Sequence, residues 1–359
     1  CQCPRDYPDE LGTPHSLTIR GVSGWPMLET RNVKRDRIRM VDVLEALKAN
    51  ARPRITLVRT GGLGDTLLVL PALAWLRERL SCAHLTLVGS HWAEALLPFL
   101  SFPIEVVRFD SPLLIPLFGP GAVEDVPGVF SEADVVVIYA ASPTHDWIRN
   151  VTHACRGSVV TWSSAPAGGC HAAMHFTQAL ARGSLESSDV PTLRLHVPQV
   201  ARIWARDWLQ ARTGSPVRLT AIHPGSGGPW KCWPPECFAE LAWKVHTAIL
   251  LVEGPADAEA CSRVRASLSS AVRVVEAKGL SLVEIAALLE LCTPYVGNDS
   301  GLSHLAAALG IPTVAVFGPT DPSVWAPRGR RVAVVCSPDG TAWPTPNAVL
   351  EVARRLWET

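Results

Sequence analysis

An excess of charge of either sign is missing from this sequence. Lys+Arg 33 stand against Asp+Glu 33 in 359 residues, so the formal net charge is zero. The balance holds locally: 8 basic against 7 acidic residues over 1–50, 10 against 12 over 51–200, and 15 against 14 over 201–359. Without a basic block, nucleic-acid binding led by general electrostatic attraction is excluded. An anionic ligand has to be held by a local constellation instead. Lysine is scarce, at five residues against 28 arginines, so each lysine carries information. No apolar run reaches the roughly 18 residues of a membrane-spanning helix; the best stretch, 63–76, is broken by Asp65, Thr66 and Pro71. No basic-then-apolar leader opens the chain. The ten cysteines are scattered without framework spacing, which reads as reduced thiols in the cytoplasm. Cys1 is not a methionine, so the native N-terminus is expected to lie upstream; a lipidated Cys1 is the rival reading.

What is present suffices for a large core. Hydrophobic residues make up 48% of the chain, and about 150 residues per domain gives two domains with an appendage. Residues 1–50 form the appendage. It is Pro-, Gly- and polar-rich to Thr30, charged from Arg31 to Arg39, and helix-like from Met40 to Ala49. The charged stretch reads as a solvated linker, with a phosphate-binding arm as the sharper alternative. From Arg54 a β-branched run, a glycine turn and a helical stretch from Asp65 to Leu80 open an α/β series. Strand-like runs follow at His84–Val88, Ile104–Arg108, Val135–Tyr139 and Ser158–Thr161, with helix-like stretches at Trp92–Phe99 and His171–Ala181. A helix at Gln199–Thr213 precedes a second series. Its strands are expected at Leu219–Ile222, Ala248–Val252, Val272–Val275, Pro294–Val296 and Thr313–Phe317. Its helices are expected at Pro234–His246, Ala256–Leu268, Ser281–Leu291 and Gly301–Leu309. Continuous apolar strands between helices imply parallel sheets covered on both faces. The expected architecture is two Rossmann-like doubly wound domains, 51–198 and 199–359, facing a central cleft, with the last helix packing back on the first domain. Ligands of such sheets sit at the carboxyl ends of the strands.

Three loops in that position carry chemistry. The first is Thr60-Gly61-Gly62-Leu63-Gly64-Asp65. Gly61, Gly62 and Gly64 let backbone approach a ligand and leave helix N–H groups free. The turn lacks the third glycine of a dinucleotide fingerprint and the Gly-Lys-Ser/Thr of a P-loop. Asp65, at or just before the helix start, is either a helix cap or a cleft-facing general base. The second loop runs from His223 to Pro235. Gly225, Ser226, Gly227 and Gly228 offer N–H groups and a hydroxyl, and Lys231 adds a point charge, a set suited to a diphosphate. His223 is a cleft residue or a hydrogen-bonded loop histidine. The His223, Cys232 and Cys237 spacing matches no zinc pattern, so no metal site is expected. The third loop, Gly297 to His304, opens an apolar helix whose first N–H groups, near Ser300 and Gly301, suit a phosphate. Asp299 either caps that helix or orients Lys231 or a sugar. His304, at the positive helix end, is either packed or a neutral donor to a sugar or phosphate oxygen. The 317–322 loop is expected to shape the same pocket.

Taken together, the segments 54–73, 222–226 with 231–241, and 297–322 resemble glycosyltransferase family 9, the ADP-heptose:lipopolysaccharide heptosyltransferases. The resemblance runs in order from about residue 54 to about 330, and leaves 1–50 without a counterpart. It implies a GT-B fold with an acceptor-side domain at 51–198 and a donor-binding domain at 199–359. It also implies inversion at the anomeric centre without a metal or other cofactor. Carried over by position, Asp65 is the catalytic base. Ser226, Gly227, Lys231, Ser300 and Gly301 grip the donor diphosphate, and Asp299 and His304 meet the donor sugar. The family's ribose-holding acid falls among Asp257 to Glu259, and Asp257 is taken for it. Gly61, Gly62 and Gly64 form the acceptor-side loop. The lysine-free acceptor-side domain departs from relatives that act on phosphorylated cores.

The expected function is therefore sugar transfer, with heptose from ADP-heptose, to a lipopolysaccharide-core-like glycan or glycolipid. The expected location is the cytoplasm, with a peripheral place at the inner membrane surface admitted. The rivals are a GT-B enzyme with another nucleotide-sugar donor or a protein or secondary-metabolite acceptor, and a catalytically silent sugar-nucleotide-binding protein. A dinucleotide oxidoreductase is disfavoured by the missing third glycine.

Overall fold

The structure is a computed structural model that describes residues 47, 50–119, 125–166, 169–181, 185–215, 217–337 and 342–357. The chain divides into residues 1–37 and a unit of residues 38–359, to which every element below belongs. Of the expected 1–50 extension and its 40–49 helix, only Leu47, helical and buried, and the exposed Asn50 are described.

Two parallel sheets form. The first holds β1 Arg54–Arg59, β2 His84–Gly89, β3 Glu105–Arg108, β4 Val135–Ala140 and β5 Ser158–Ser163, in the order β3-β2-β1-β4-β5. The second holds β6 Leu219–His223, β7 Ala248–Glu253, β8 Val274–Lys278, β9 Tyr295–Asn298, β10 Thr313–Val316 and β11 Val332–Val335, in the order β11-β10-β9-β6-β7-β8. Each sheet therefore starts at its centre, winds outward to one edge, and returns to wind the other way. Strand order reverses between β1 and β4 in one and between β6 and β9 in the other, where a crevice opens at the carboxyl ends. Register is set by apolar residues buried on both faces: Ile55 lies between Leu85 and Val135, and Leu57 between Leu87 and Val137. The polar Thr56 is tolerated because its hydroxyl donates to the Val129 carbonyl at 2.6 Å.

The helices that matter for the site are α1 Leu63–Arg79, α2 Ala172–Gln178, α3 Gln199–Thr213, α4 Pro235–Lys244, α5 Ala258–Ser267, α6 Gly301–Ala308 and α7 Pro346–Trp357. α1 is apolar on almost every side, with eleven of its seventeen residues buried. A helix apolar all round has to be covered all round. Here α2 of the first sheet's layer and α6 of the second sheet's layer cover it. One continuous core cluster accordingly runs from Leu57 and Leu67 through Leu302 and Leu305 to Leu250. Two smaller cores lie on the outer faces, around Phe130 and Ile138 and around Trp233 and Phe238.

The structure departs from the sequence reading in three places. α1 starts at Leu63, so Gly62 is its N-cap residue and Asp65 lies in its first turn. α7 packs on α4, β10 and β11 of its own sheet, where Val349, Leu350 and Ala353 join the Phe238 core. It does not take the place on the first domain that the sequence had suggested. β11 was not anticipated: a four-residue edge strand is too short to show a period. Replacing Leu57, fully buried in the central strand, by alanine should cost about 3 kcal/mol. Ile203→Ala, on an exposed face of α3, should cost under about 0.5 kcal/mol. Denaturation midpoints of the two variants check the contrast.

Candidate active site

The loops after β1, β6 and β9 all leave strands that border a reversal of strand order, so the fold alone brings them to crevices. The two layers then meet through glycine. A Cβ built on Gly301, the first residue of α6, would lie 2.7 Å from the Gly64 backbone nitrogen and 2.7 Å from Leu63 Cβ. One built on Gly64 would lie 3.5 Å from Gly301 Cα and 3.7 Å from His304 Cδ2. The N-terminal ends of α1 and α6 thus approach closely, and a side chain at Gly301 would prevent it, whereas a Cβ at Gly64 would make ordinary contacts.

Asp65 is held from two directions at this junction. The Gly62 N–H donates to its Oδ2 at 2.9 Å, and the Arg59 guanidinium donates to its Oδ1 through a short ion pair. The Asp65 side chain is 36% exposed, while that of Arg59 is 10% exposed. The turn makes room for the carboxylate through Gly61, whose φ of +131° favours glycine and whose Cβ would fall 2.5 Å from Asp65 Oδ2.

On the second sheet, Lys231 and Asp299 form an ion pair at 2.9 Å. The ammonium also lies 5.3 Å from the centre of the exposed Trp230 ring. Ser226 donates its hydroxyl to the Asp299 carbonyl at 2.7 Å, and a Cβ on Gly227 would meet open space. The two loops are locked together by Asn298, which is fully buried. Its amide donates to the Pro224 carbonyl at 2.8 Å and accepts from the Trp233 N–H at 2.9 Å. Behind the loops runs a buried polar chain. Ser303 donates to the Asn298 carbonyl at 2.6 Å, so the Tyr295 hydroxyl, 3.2 Å away, donates to Ser303. His223 lies 2.9 Å from Asp257 through Nε2 and 3.3 Å from Ser300 through Nδ1. Burial raises the Asp257 carboxyl pKa, but the His223 hydrogen bond and charge and the Gly254 N–H outweigh it, leaving the group below its ordinary value. Gly225 is required by this arrangement, since a Cβ there would stand 1.9 Å from Asp257 Oδ1.

His304 reports how close the halves are. Burial is the largest influence on its ring and lowers its pKa to about 4; Asp299 and Asp65 oppose that shift, and His171 and Lys231 reinforce it. One imidazole therefore feels the carboxylate of the first layer and the ion pair of the second. His171, at the start of α2, crosses between layers as well: its Nε2 lies 2.9 Å from the Ala326 carbonyl while its Nδ1 accepts from the Ala173 N–H at 3.2 Å.

Of the residues singled out from the sequence, Gly64 and Asp65 come near Gly301 and His304, and Ser226 and Lys231 bond to Asp299. Gly61, Gly62, Gly64 and Asp65 stand on one side, and Ser226, Gly227, Lys231, Asp299, Ser300, Gly301 and His304 on the other. Asp257 lies deeper, turned on His223 and the Gly254 N–H. His223 is likewise committed to Asp257 and Ser300, and the Cys232 thiol points to the Gly228 carbonyl at 3.7 Å. Arg59 and Asn298 are the residues that sequence reasoning passed over. A lone arginine ending an apolar strand was the available signal for Arg59.

Comparison with known proteins places this geometry. Residues 178–349 match the family described as glycosyltransferase family 9 (heptosyltransferase). Over this stretch, somewhat less than half of its length, the chain is similar to that family. It is 34% identical over 124 residues to lipooligosaccharide heptosyltransferase 2 of Haemophilus influenzae, a match covering 33% of this chain and 36% of that protein. The chain thus spans about a third of the length of the curated relatives it matches. Two solved structures share the fold over nearly their whole length. The family 9 glycosyltransferase of Veillonella parvula superposes with a TM-score of 0.69 at 19% identity, covering 86% of this chain and 98% of that one. The ADP-heptose lipopolysaccharide heptosyltransferase II of E. coli superposes with a TM-score of 0.68 at 20% identity, covering 84% and 98%. The fold is GT-B, two Rossmann-like domains. The family match begins at residue 178, so the Asp65 turn lies outside it and rests on the geometry above.

Two outcomes follow from this geometry. Gly301→Ala should force α1 and α6 apart, lowering the melting temperature and enlarging the radius of gyration in solution scattering; an unchanged radius would contradict the backbone contact. For His304, the unfolded chain takes up a proton near the ordinary 6.5 and the folded one only near about 4. Between those values the unfolded state binds more protons, so the His304 contribution lowers stability as pH falls from 6.5 to 4. His304→Gln should flatten that decline in a series of melting curves.

Proposed function

We propose that the protein is an inverting, metal-independent heptosyltransferase. It takes heptose from ADP-heptose and passes it to a hydroxyl of a lipopolysaccharide-core-like glycan. The observation that carries this reading is the meeting of the Asp65 turn with the Lys231–Asp299 loops across the Gly64–Gly301 contact. In the proposed reaction the acceptor oxygen attacks the anomeric carbon as its proton passes to Asp65. The bond from that carbon to the diphosphate oxygen breaks, and the electron pair leaves with ADP. Lys231, the Ser226 hydroxyl and the first N–H groups of α6 take up the charge on the leaving diphosphate, doing what a divalent cation does elsewhere. His304, held neutral by burial, donates to a donor oxygen without adding a charge. The relatives' names support the donor class, and the fold supports the two-domain arrangement.

Asp65→Asn tests the base. Turnover with ADP-heptose and a heptose-deficient core acceptor should fall by about 100-fold or more, in the range of lost general-base catalysis. Donor affinity by calorimetry should stay within about twofold, because the substituted group sits on the opposite side of the cleft from the diphosphate seat. Near wild-type turnover in the folded variant would remove Asp65 from the mechanism. A donor series of ADP-heptose against UDP- and GDP-sugars separates heptosyl transfer from another GT-B activity.

A further inference from the structure

Arg59 is the last residue of β1, and its side chain is only 10% exposed, against 36% for the Asp65 carboxylate it binds. It therefore lies behind the carboxylate and not beside it at the cleft. Its guanidinium stacks over the Phe176 ring, 4.9 Å from the centroid. That ring is fully buried and anchored through the Phe176 carbonyl, which accepts from the Tyr139 hydroxyl at 2.7 Å. The Arg59 Nε is buried without a hydrogen-bond partner, so Asp65 is the ion-pair partner recorded for this cation. A buried guanidinium is costly unless paired and held in a defined geometry.

We infer that Arg59 is a positioning residue for the Asp65 base. This rests on the reading of Asp65 proposed above. Arg59 holds Oδ1 and the Gly62 N–H holds Oδ2. Donors on both oxygens pin rotation about the Cβ–Cγ bond and leave the solvent-facing lone pairs for an acceptor hydroxyl. Around this carboxylate Arg59 on β1 makes the ion pair, and His304 on α6 is near enough for the two charges to interact. Lys231 is engaged by Asp299, and Arg59 is the cation bonded to Asp65. Its burial keeps it from serving as an acceptor-binding group. A base displaced by about 1 Å loses on the order of 100-fold in rate, so pinning it has a measurable consequence.

The test uses the full chain, ADP-heptose, a heptose-deficient core acceptor and ADP release. Arg59→Gln should lower kcat by about 10- to 100-fold and leave both KM values and the calorimetric donor affinity within about threefold. Arg59→Lys keeps the charge but cannot stack its ammonium as a plane on Phe176. It should fall between, about three- to tenfold below wild type. In an Asp65→Asn background, Arg59→Gln should change kcat no further, as expected of groups acting as one unit. A raised acceptor KM at unchanged kcat would make Arg59 a binding group and overturn the proposal. So would effects of the two substitutions that multiply. Should Arg59→Gln not fold, Arg59→Lys turning over at the wild-type rate overturns it alone. An active Asp65→Asn protein instead sinks the base reading, whereas wild-type kcat in Arg59→Gln beside an inactive Asp65→Asn sinks only the positioning role.

Discussion

The backbone contact between Gly64 and Gly301 constrains everything else in the molecule. It brings the N-terminal ends of two helices from different layers together, and both ends carry partial positive charge. Such an approach is unfavourable unless something negative lies nearby and something apolar holds the helices behind it. Both conditions are met. Asp65 lies in the first turn of α1, and Asp299 immediately precedes the N-cap residue of α6. Behind them Leu63, Leu67 and Leu68 share one core cluster with Leu302 and Leu305.

The two sides of that space are built differently. On the second layer the loops are fixed by buried polar groups. Asn298 joins the β6 and β9 loops, Ser303 and Tyr295 brace α6, and Asp257 with His223 supports the Gly225 turn from beneath. A polar network of this kind is stable only when its members are satisfied, and it then specifies one geometry. On the first layer the short turn is held by the Arg59–Asp65 ion pair, the Gly62 N–H on Asp65, and the Thr66 N–H and hydroxyl on the Gly62 carbonyl. Rigidity on the second layer suits a seat for a diphosphate. The half-exposed carboxylate on the first suits a group that must meet a variable hydroxyl.

How much of this was legible follows from what each feature asks of the sequence. The strands were visible because parallel sheets bury both faces, so runs such as Val135–Ile138 and Ala248–Val252 are continuously apolar. The three loops were visible because glycine, serine and a rare lysine cluster right after those strands. The Gly64–Gly301 contact was invisible, since 237 positions separate the pair and either glycine alone reads as local turn chemistry. Asn298 was hidden for a related reason. Its neighbours Asp299 and Ser300 carry the more obvious chemistry, while its own bonds go to backbone groups about 70 residues away. Asp257 came from the resemblance alone, as the ribose-holding acid, and no sequence pattern showed its pairing with His223, 34 positions away. α7 was placed on the wrong layer because an amphipathic helix shows which face it buries but not against what.

The zero net charge of the chain becomes meaningful at the site. Arg59 and Lys231 are each tied to a carboxylate, whereas Arg328, which lines a cavity with His304, donates to the Ser187 and Val190 carbonyls. His304 and His171 are pushed toward the neutral ring by burial. Lys231, neutralised by Asp299, therefore offers an anion little uncompensated charge at a distance. On the proposed reading, recognition depends on short-range exchange: a diphosphate reaching Lys231 has to share it with Asp299 and be received by the first N–H groups of α6. An exchange of that kind penalises any anion that cannot fill the whole seat, because a partial occupant disturbs the ion pair without replacing it. On the proposed reading, selectivity for a nucleotide sugar over free phosphate comes from this pairing, without any excess of positive charge.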